Sequence, residues 1–448
     1  MHATLPELTQ SLLQAANKAG ATDADAIALR ASSVMVDVRA GNLEQAERAE
    51  STDIGLRVFV DQRSAIVSAS DTSENTLTDM AERAVAMARE APEDRYAGIA
   101  DPTQISKSHE IDVLELHDPA AGPTPVALQA DAEAAEQAAM SVSGITQVQS
   151  ASAGYVTQDI YMSATNGFHG GYKRTDRGIS CVAIAGTGTG MERDYDGDHR
   201  VFQADLRAAK DIGKRAGQRA LQRLDARKPP TGRFPVLFDE RVSASLIGHL
   251  LNAMNGAAIA RGSSWLRDAL EEPVLPASFS LFEDPHRKRV GGSRPFDGEG
   301  LPTKPRYLVK DGILTGWTLD LASARKLGLT STANAVRGTS SAPSPSASNV
   351  TLTQGTQSRD DLIRDMGTGL LVTSMIGSTI NPNTGDYSRG AAGLWVERGQ
   401  ITHAVNECTI AGNLKDMLLQ IVPANDAQTH LSRIVPSLLV PGMTLAGA

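Results

Sequence analysis

Histidines, carboxylates and hydroxyls decide what chemistry this chain could do. A catalytic zinc needs about three protein ligands, with one position left for water or substrate. Two histidines on one helix face, with a glutamate base beside the first, are a common way to supply them. The nine histidines are His2, His109, His117, His169, His199, His249, His286, His403 and His430, and no two stand at ligand spacing on a helix. His249 falls in the helical pattern of Glu240–Met254, sharing a face with Val242, Leu246 and Ala253. It reads as a half-buried histidine packing a helix onto a sheet, a groove-lining or interface role being the other reading. The two cysteines, Cys181 and Cys408, lie far apart; a disulfide framework is excluded, and a thiolate zinc site would need more of them.

The remaining clusters are weaker. Asp194-Tyr195-Asp196-Gly197-Asp198-His199 has the acidic spacing of a calcium loop, but its glycine falls too early and no glutamate follows in register. An acidic turn at a strand end is expected. Glu283-Asp284-Pro285-His286, followed by Arg287-Lys288-Arg289, reads as a solvated loop. Ser388 sits between Tyr387 and Arg389 in a glycine-rich run, where a nucleophile would need a base and none stands beside it. A segment that holds a peptide backbone or a partner chain is better motivated, because glycine permits close approach and Arg389 could fix a carboxylate. Plain turn architecture is the alternative.

These residues must be carried by a frame of ordinary globular composition. The chain has 448 residues, 41% apolar and 21% charged, with net charge −9, which suits two or three domains. Basic residues between Lys210 and Lys228 alternate with apolar ones, as on a solvated helix face, and nothing suggests a nucleic-acid or membrane surface. Met1–Gly20 reads as an amphipathic helix with Leu5, Leu8, Leu12 and Ala16 on one side, not a leader. No segment reaches the ~18 apolar residues of a membrane span, so a cytoplasmic protein is expected.

Short strands are predicted at Ala24–Ala31, Val34–Arg39, Asp53–Val60 and Ala65–Ser70, the last two joined tightly through Asp61-Gln62-Arg63. Ser73–Arg89 has helical periodicity, and Pro125 is placed to open a helix reaching about Met140. Asn166-Gly167 predicts a hairpin with both turn positions at positive φ. A helix over Ala204–Leu224 precedes the break at Lys228–Gly232, and Thr330–Asn349 reads as a long loop.

Gly385-Asp386-Tyr387-Ser388-Arg389-Gly390-Ala391-Ala392-Gly393, then Leu394-Trp395-Val396-Glu397 and Thr409-Ile410-Ala411-Gly412-Asn413-Leu414, resemble the PmbA (TldE) branch of the TldD/PmbA family. Arg39–Glu44, Gly55–Val60, Met191–Tyr195 and Ser323–Gly328 match in the same order, so the resemblance spans nearly the whole chain. In the TldD branch a helix carries His-Glu-x-x-x-His. Setting Gly248-His249 on that branch's Gly-His puts Ala244 at the first histidine and Ser245 at the glutamate. Neither can serve, and no cysteine follows Cys408, where the catalytic branch has one.

The resemblance implies a peptidase complex for unfolded peptides and peptide precursors. A TldD-type zinc subunit would be the partner, with no zinc in this chain and a homodimer when it is alone. The family has been linked to DNA gyrase control, to which the acidic balance lends no direct support. The expected fold is α+β: a helix-flanked antiparallel sheet in residues 1–100, a strand-rich segment ending in a helix at 118–228, and a β-rich curled or barrel-like domain at 232–448. His249, Tyr387, Ser388 and Arg389 are the candidates for a peptide groove or interface. An autonomous non-metal hydrolase and a stand-alone peptide-binding regulator are the other classes.

Overall fold

A computed structural model describes residues 3–107 and 111–447; His2 and His109 lie outside the described residues. Helix α1 (Leu5–Ala19) is held by a Thr4–Glu7 capping box and stops at Gly20, whose φ of 98° suits glycine. The chain then forms β1 (Asp23–Arg39), β2 (Asn42–Val60), β3 (Arg63–Ala69), α2 (Glu74–Glu90), α3 (Pro125–Met140), β4 (Ile145–Ala164), β5 (His169–Ala185), β6 (Glu192–Arg200) and α4 (Ala209–Leu221). All six strands join one antiparallel sheet in the order β3-β2-β1-β4-β5-β6. Residues before and after position 100 thus share a single sheet, with β1 as its spine.

Alternation along β1 sorts the two faces. Ala24, Ala26 and Ala28 pack under α1 and α2, while Val36 and Val38 pack under α3 and α4. The odd-numbered Asp25 and Ile27 face the C-terminal half, where Ile27 meets Phe296 and Asp25 pairs with Arg57 and Arg337.

The C-terminal half comprises β7 (Gly232–Phe238), α5 (Glu240–Ala253), α6 (Gly256–Ala260), β8 (Leu281–Glu283), β9 (Arg306–Lys310), β10 (Ile313–Leu314), α7 (Leu321–Leu327), β11 (Ala335–Val336), β12 (Ser344–Pro345), β13 (Val350–Leu352), α8 (Arg359–Met366), β14 (Gly369–Ile380), β15 (Asp386–Glu397), β16 (Gln400–Asn413), α9 (Leu414–Leu418), β17 (Val422–Pro423), β18 (Arg433–Ile434) and β19 (Leu438–Ala446). One sheet runs β16-β15-β14-β7-β19-β17, and a further pairing of β16 with β19 closes β7, β14, β15, β16 and β19 into a barrel. A second sheet, β10-β9-β8-β13-β18, lies beside it. The fold is α+β with a closed C-terminal barrel. Among the described residues no helix is long and apolar enough to cross a membrane.

Several local expectations need correction. Ala24–Ala31 and Val34–Arg39 are one strand, because β2 and β4 pair with β1 on both edges through the polar Arg30–Ser33 stretch. Asp61 and Gln62 both take positive φ in their two-residue turn, but at the second hairpin only Gly167 does. Gly167 N donates to Ala164 O in an ordinary turn, and Gly167 supplies the following left-handed residue. The helix expected from Ala204 begins at Ala209.

The charged clusters differ too. Asp194, Asp196 and Asp198 are not a turn but buried alternate residues of β6, facing arginines: Arg241 to Asp194 at 3.1 Å, Arg219 and Arg207 to Asp196 at 2.7 and 2.9 Å, and Arg200 to Asp198 at 3.0 Å. Arg219 and Arg223, expected on a solvated face, are largely buried in that ladder. Glu283 is buried on β8 and paired with Arg306 at 3.0 Å, not solvated. Within 330–349, Asn334, Ala335 and Asn349 are buried, and the Thr339 backbone abuts Gly55 of β2.

The helix pair α3/α4 generates a stability test. A Cβ at Gly213 would stand 1.9 Å from Ala135 O. Alanine is the better helix former by about 1 kcal/mol, yet Gly213→Ala should destabilise by about 1–3 kcal/mol in urea unfolding, since overpacking outweighs propensity. Gly316→Ala, with nothing within 4 Å, should change stability by less than about 0.5 kcal/mol. A stabilised Gly213→Ala protein would contradict the packing.

Candidate functional site

Helix α5 follows β7 directly. Asp239 caps it, its carboxylate accepting the Arg241 amide at 3.3 Å. Leu246, Leu250 and the following Met254 are fully buried in the largest apolar core, together with Val236, Phe238, Leu370, Val372 and Tyr387. His249 lies on the helix flank, half-buried. Tyr387 and Arg389 reach it from β15, since alternate residues of a strand share a face. The His249 and Tyr387 rings meet edge to face at 5.8 Å and 73°. The Tyr387 hydroxyl donates to Met375 Sδ at 3.5 Å, and Arg389 Nε donates to Gly377 O at 2.7 Å, both acceptors on β14. Ser388 belongs to the opposite side of the pleat, opposite Thr379 and Ala411 in the two ladders. Three of the four candidate residues therefore converge, and Ser388 does not.

The electrostatics follow from burial and one cation. Burial, and then the Arg389 charge, hold His249 below its ordinary value, and its Nε2 is buried with no partner. Burial pushes the Tyr387 phenol up to about 12, against the pull of Arg389. At neutral pH the cluster is a neutral imidazole, a neutral phenol and a guanidinium. Such a set can hold a carboxylate or a peptide group, but it contains no activated nucleophile. Beside it β14 is exposed from Ile376 to Thr379, with the Ile376 side chain 78% accessible opposite Gly390.

Three sequence profiles match in succession: PmbA/TldA metallopeptidase domain 1 over residues 24–88, the central domain over 118–224, and the C-terminal domain over 231–447. Metalloprotease PmbA of Escherichia coli O157:H7 is 34% identical over 445 residues, covering 99% of this chain and 96% of that one. The chain belongs to the PmbA branch of the TldD/PmbA family. A PmbA homologue of Haemophilus influenzae is 33% identical over 98% of this chain and 96% of its own length. Among solved structures, a proposed modulator of DNA gyrase from Bacteroides thetaiotaomicron superposes with a TM-score of 0.91 at 27% identity, covering 99% of each chain. TldE from Thermococcus kodakarensis shares the fold, with a TM-score of 0.85 at 18% identity over 98% of this chain and 100% of that one.

Membership in a metallopeptidase family raises the question whether these residues fit zinc. Ala244 packs against the apolar core, and Ser245 Oγ donates to Val242 O at 2.7 Å, back into its own helix. His249 has a phenol and a guanidinium as neighbours, and a fixed positive charge opposes a second cation. Cys408 is buried, its thiol donating to Ala391 O at 3.2 Å and pushed up to about 11 by burial. Among the described residues no three His, Cys, Asp or Glu side chains come together as metal ligands would. A donor set of this kind does not fit zinc.

Sequence reasoning missed the charge ladder that seats α5, running from β6 to Arg241 and from Asp239 to Arg359 at 3.2 Å. The alternation of acids in Glu192–Asp198 was the available signal. It also missed Met375 and Gly377, whose contacts depend on barrel register.

The two histidine environments give a titration test. His249 is held below its ordinary value and His199 above it, the latter through its hydrogen bond to Asp176. With a depressed folded value, the unfolded chain takes up the His249 proton first as pH falls. Its stabilising contribution is full above the unfolded value of about 6.5 and is lost from there down to the folded value. In NMR titrations His249 should protonate at lower pH than His199, and His249→Gln should weaken the loss of urea stability between pH 7.5 and 5.5. His249 titrating above His199 would contradict the assigned environment.

Proposed function

We propose that this chain is the non-catalytic subunit of a two-chain cytoplasmic metallopeptidase acting on unfolded peptides or peptide precursors. Zinc is supplied by a TldD-type partner. What supports this reading is α5, where Ala244 and Ser245 stand at the positions that the resemblance assigns to ligand and base, and where Arg389 brings a positive charge beside His249. The subunit's part is to complete the chamber and hold extended substrate. An extended peptide adds to a sheet through main-chain hydrogen bonds, and the exposed end of β14 beside Arg389 suits that mode, with the guanidinium available to a substrate carboxylate.

The purified chain should hold no stoichiometric zinc and should not cleave unfolded peptides. Co-expressed with a TldD-type subunit, it should form a complex whose peptidase activity is lost on chelation. The double substitution Ala244→His with Ser245→Glu should take up zinc only weakly and give no turnover, because the third ligand and the outer partners that orient imidazoles, worth about 10–100-fold, are lacking. One tightly held zinc per lone chain, with chelator-sensitive cleavage, would overturn the proposal.

A further inference from the structure

Strand β2 has 19 residues, but its outer side is paired only from Ile54 to Val60, by β3. Asn42–Asp53 pair with β1 on the inner side and, among the described residues, with no strand on the outer one. The stretch is also bare on both faces: Asn42–Ser51 are all exposed, Leu43 at 48%. An edge of this length presents a row of unpaired main-chain N–H and C=O groups. Proline and lysine, which commonly blunt such edges, are absent from it.

The edge carries charges of both signs, Glu44, Glu47, Arg48 and Glu50. Arg48 meets Glu50 at 2.6 Å within the strand, and Arg39 meets Glu44 at 3.4 Å across the hairpin. Both pairs are solvated, so they hold these side chains only weakly. The ladder to β1 passes from Asp37↔Gln45 to Val38↔Leu43, and this bulge leaves Glu44 with no partner on that strand.

A second copy that meets this edge antiparallel does so about a two-fold axis, which sets one residue opposite itself. Charge and space select the centre. Centring on Glu44, Glu47, Arg48 or Glu50 sets a charge against its own copy. Centring on Gln45 brings no opposite charges together. Centring on Ala46 sets Glu44 opposite Arg48 of the other copy, Leu43 opposite Ala49 and Gln45 opposite Glu47, with no like charges opposed. Centring on Ala49 sets Arg48 opposite Glu50, but it carries each β1–β2 turn onto the line of β3, whose Ala69 already stands opposite Ile54. Of the centres from Glu44 to Glu50, Ala46 alone joins opposite charges and leaves β3 clear.

We propose that the outer edge of β2 pairs with the same edge of a second copy of this chain, antiparallel about Ala46, joining the two six-stranded sheets into one. The pairing stands whether or not a zinc-bearing subunit is present.

Sedimentation equilibrium of the full chain should show a monomer–dimer equilibrium. Glu44→Arg and Arg48→Glu, each setting like charges opposite one another at both ends of the ladder, should each weaken dimerisation at least about tenfold. Combining the two substitutions restores opposite charges and should bring the affinity back to within about threefold of the starting chain. The register has its own readout, because both natural cysteines are buried. With a short bismaleimide, Ala46→Cys should link two copies at least about tenfold faster than Ala49→Cys, since only residue 46 faces its own counterpart. All four positions are exposed, so these variants keep the fold. A chain that sediments only as a monomer, dimerisation unmoved by either charge reversal, or faster linkage at position 49 than at 46 would overturn the proposal.

Discussion

Barrel closure is the constraint on which the candidate site depends. The pairs Thr409↔Ala446, Ile410↔Leu445 and Ala411↔Thr444 join β16 to β19, while β19 also pairs with β7. With the ring closed, β15 has a hydrogen-bonded neighbour on each side, β14 and β16, whereas β14 is paired on its β7 side only over Leu370–Val372. Tyr387 and Arg389 therefore project from a strand that cannot shift register without breaking two ladders. Gly393 shows how tight this is, since a Cβ there would stand 1.9 Å from Leu371 O. Helix α5 leaves β7 and packs on the same core, so His249 meets Tyr387 through two rigid elements.

Electrostatics ties the other half of the chain to that helix. The β6 carboxylates meet Arg207 and Arg219 on one side and Arg241, in the first turn of α5, on the other. Across the sheet, Arg57, Asp25 and Arg337 join the N-terminal strands to the 330–349 segment. Breaking a buried pair of this kind is more costly than the pair is stabilising, because the remaining charge has lost its water.

The sequence was most legible where periodicity or capping is local. The stripe of α1, its stop at Gly20, the start of α3 at Pro125 and the span of α5 all appear in single short windows. It was least legible where a partner far along the chain decides. Arg30–Ser33 becomes strand because two neighbours pair with it, and Asp194–Asp198 becomes a buried ladder because arginines from α4 and α5 arrive to neutralise it. Asp25 and Arg337 are 312 residues apart, and no local pattern announces that contact. At the site, His249 was readable as a packing residue on a helix flank. Its meeting with Tyr387 and Arg389, and the exclusion of Ser388, needed the register of β15.

The central claim is that His249 and its neighbours shape and hold, while a partner chain performs the chemistry. The most direct measurement is steady-state peptide cleavage and zinc content of the two-chain complex carrying His249→Phe in this subunit. Zinc content and kcat should stay within about twofold of the unsubstituted complex, with any change confined to KM, as befits a group that binds substrate without acting in the chemical step. Loss of the metal together with abolished kcat would make His249 part of the catalytic centre and contradict the account.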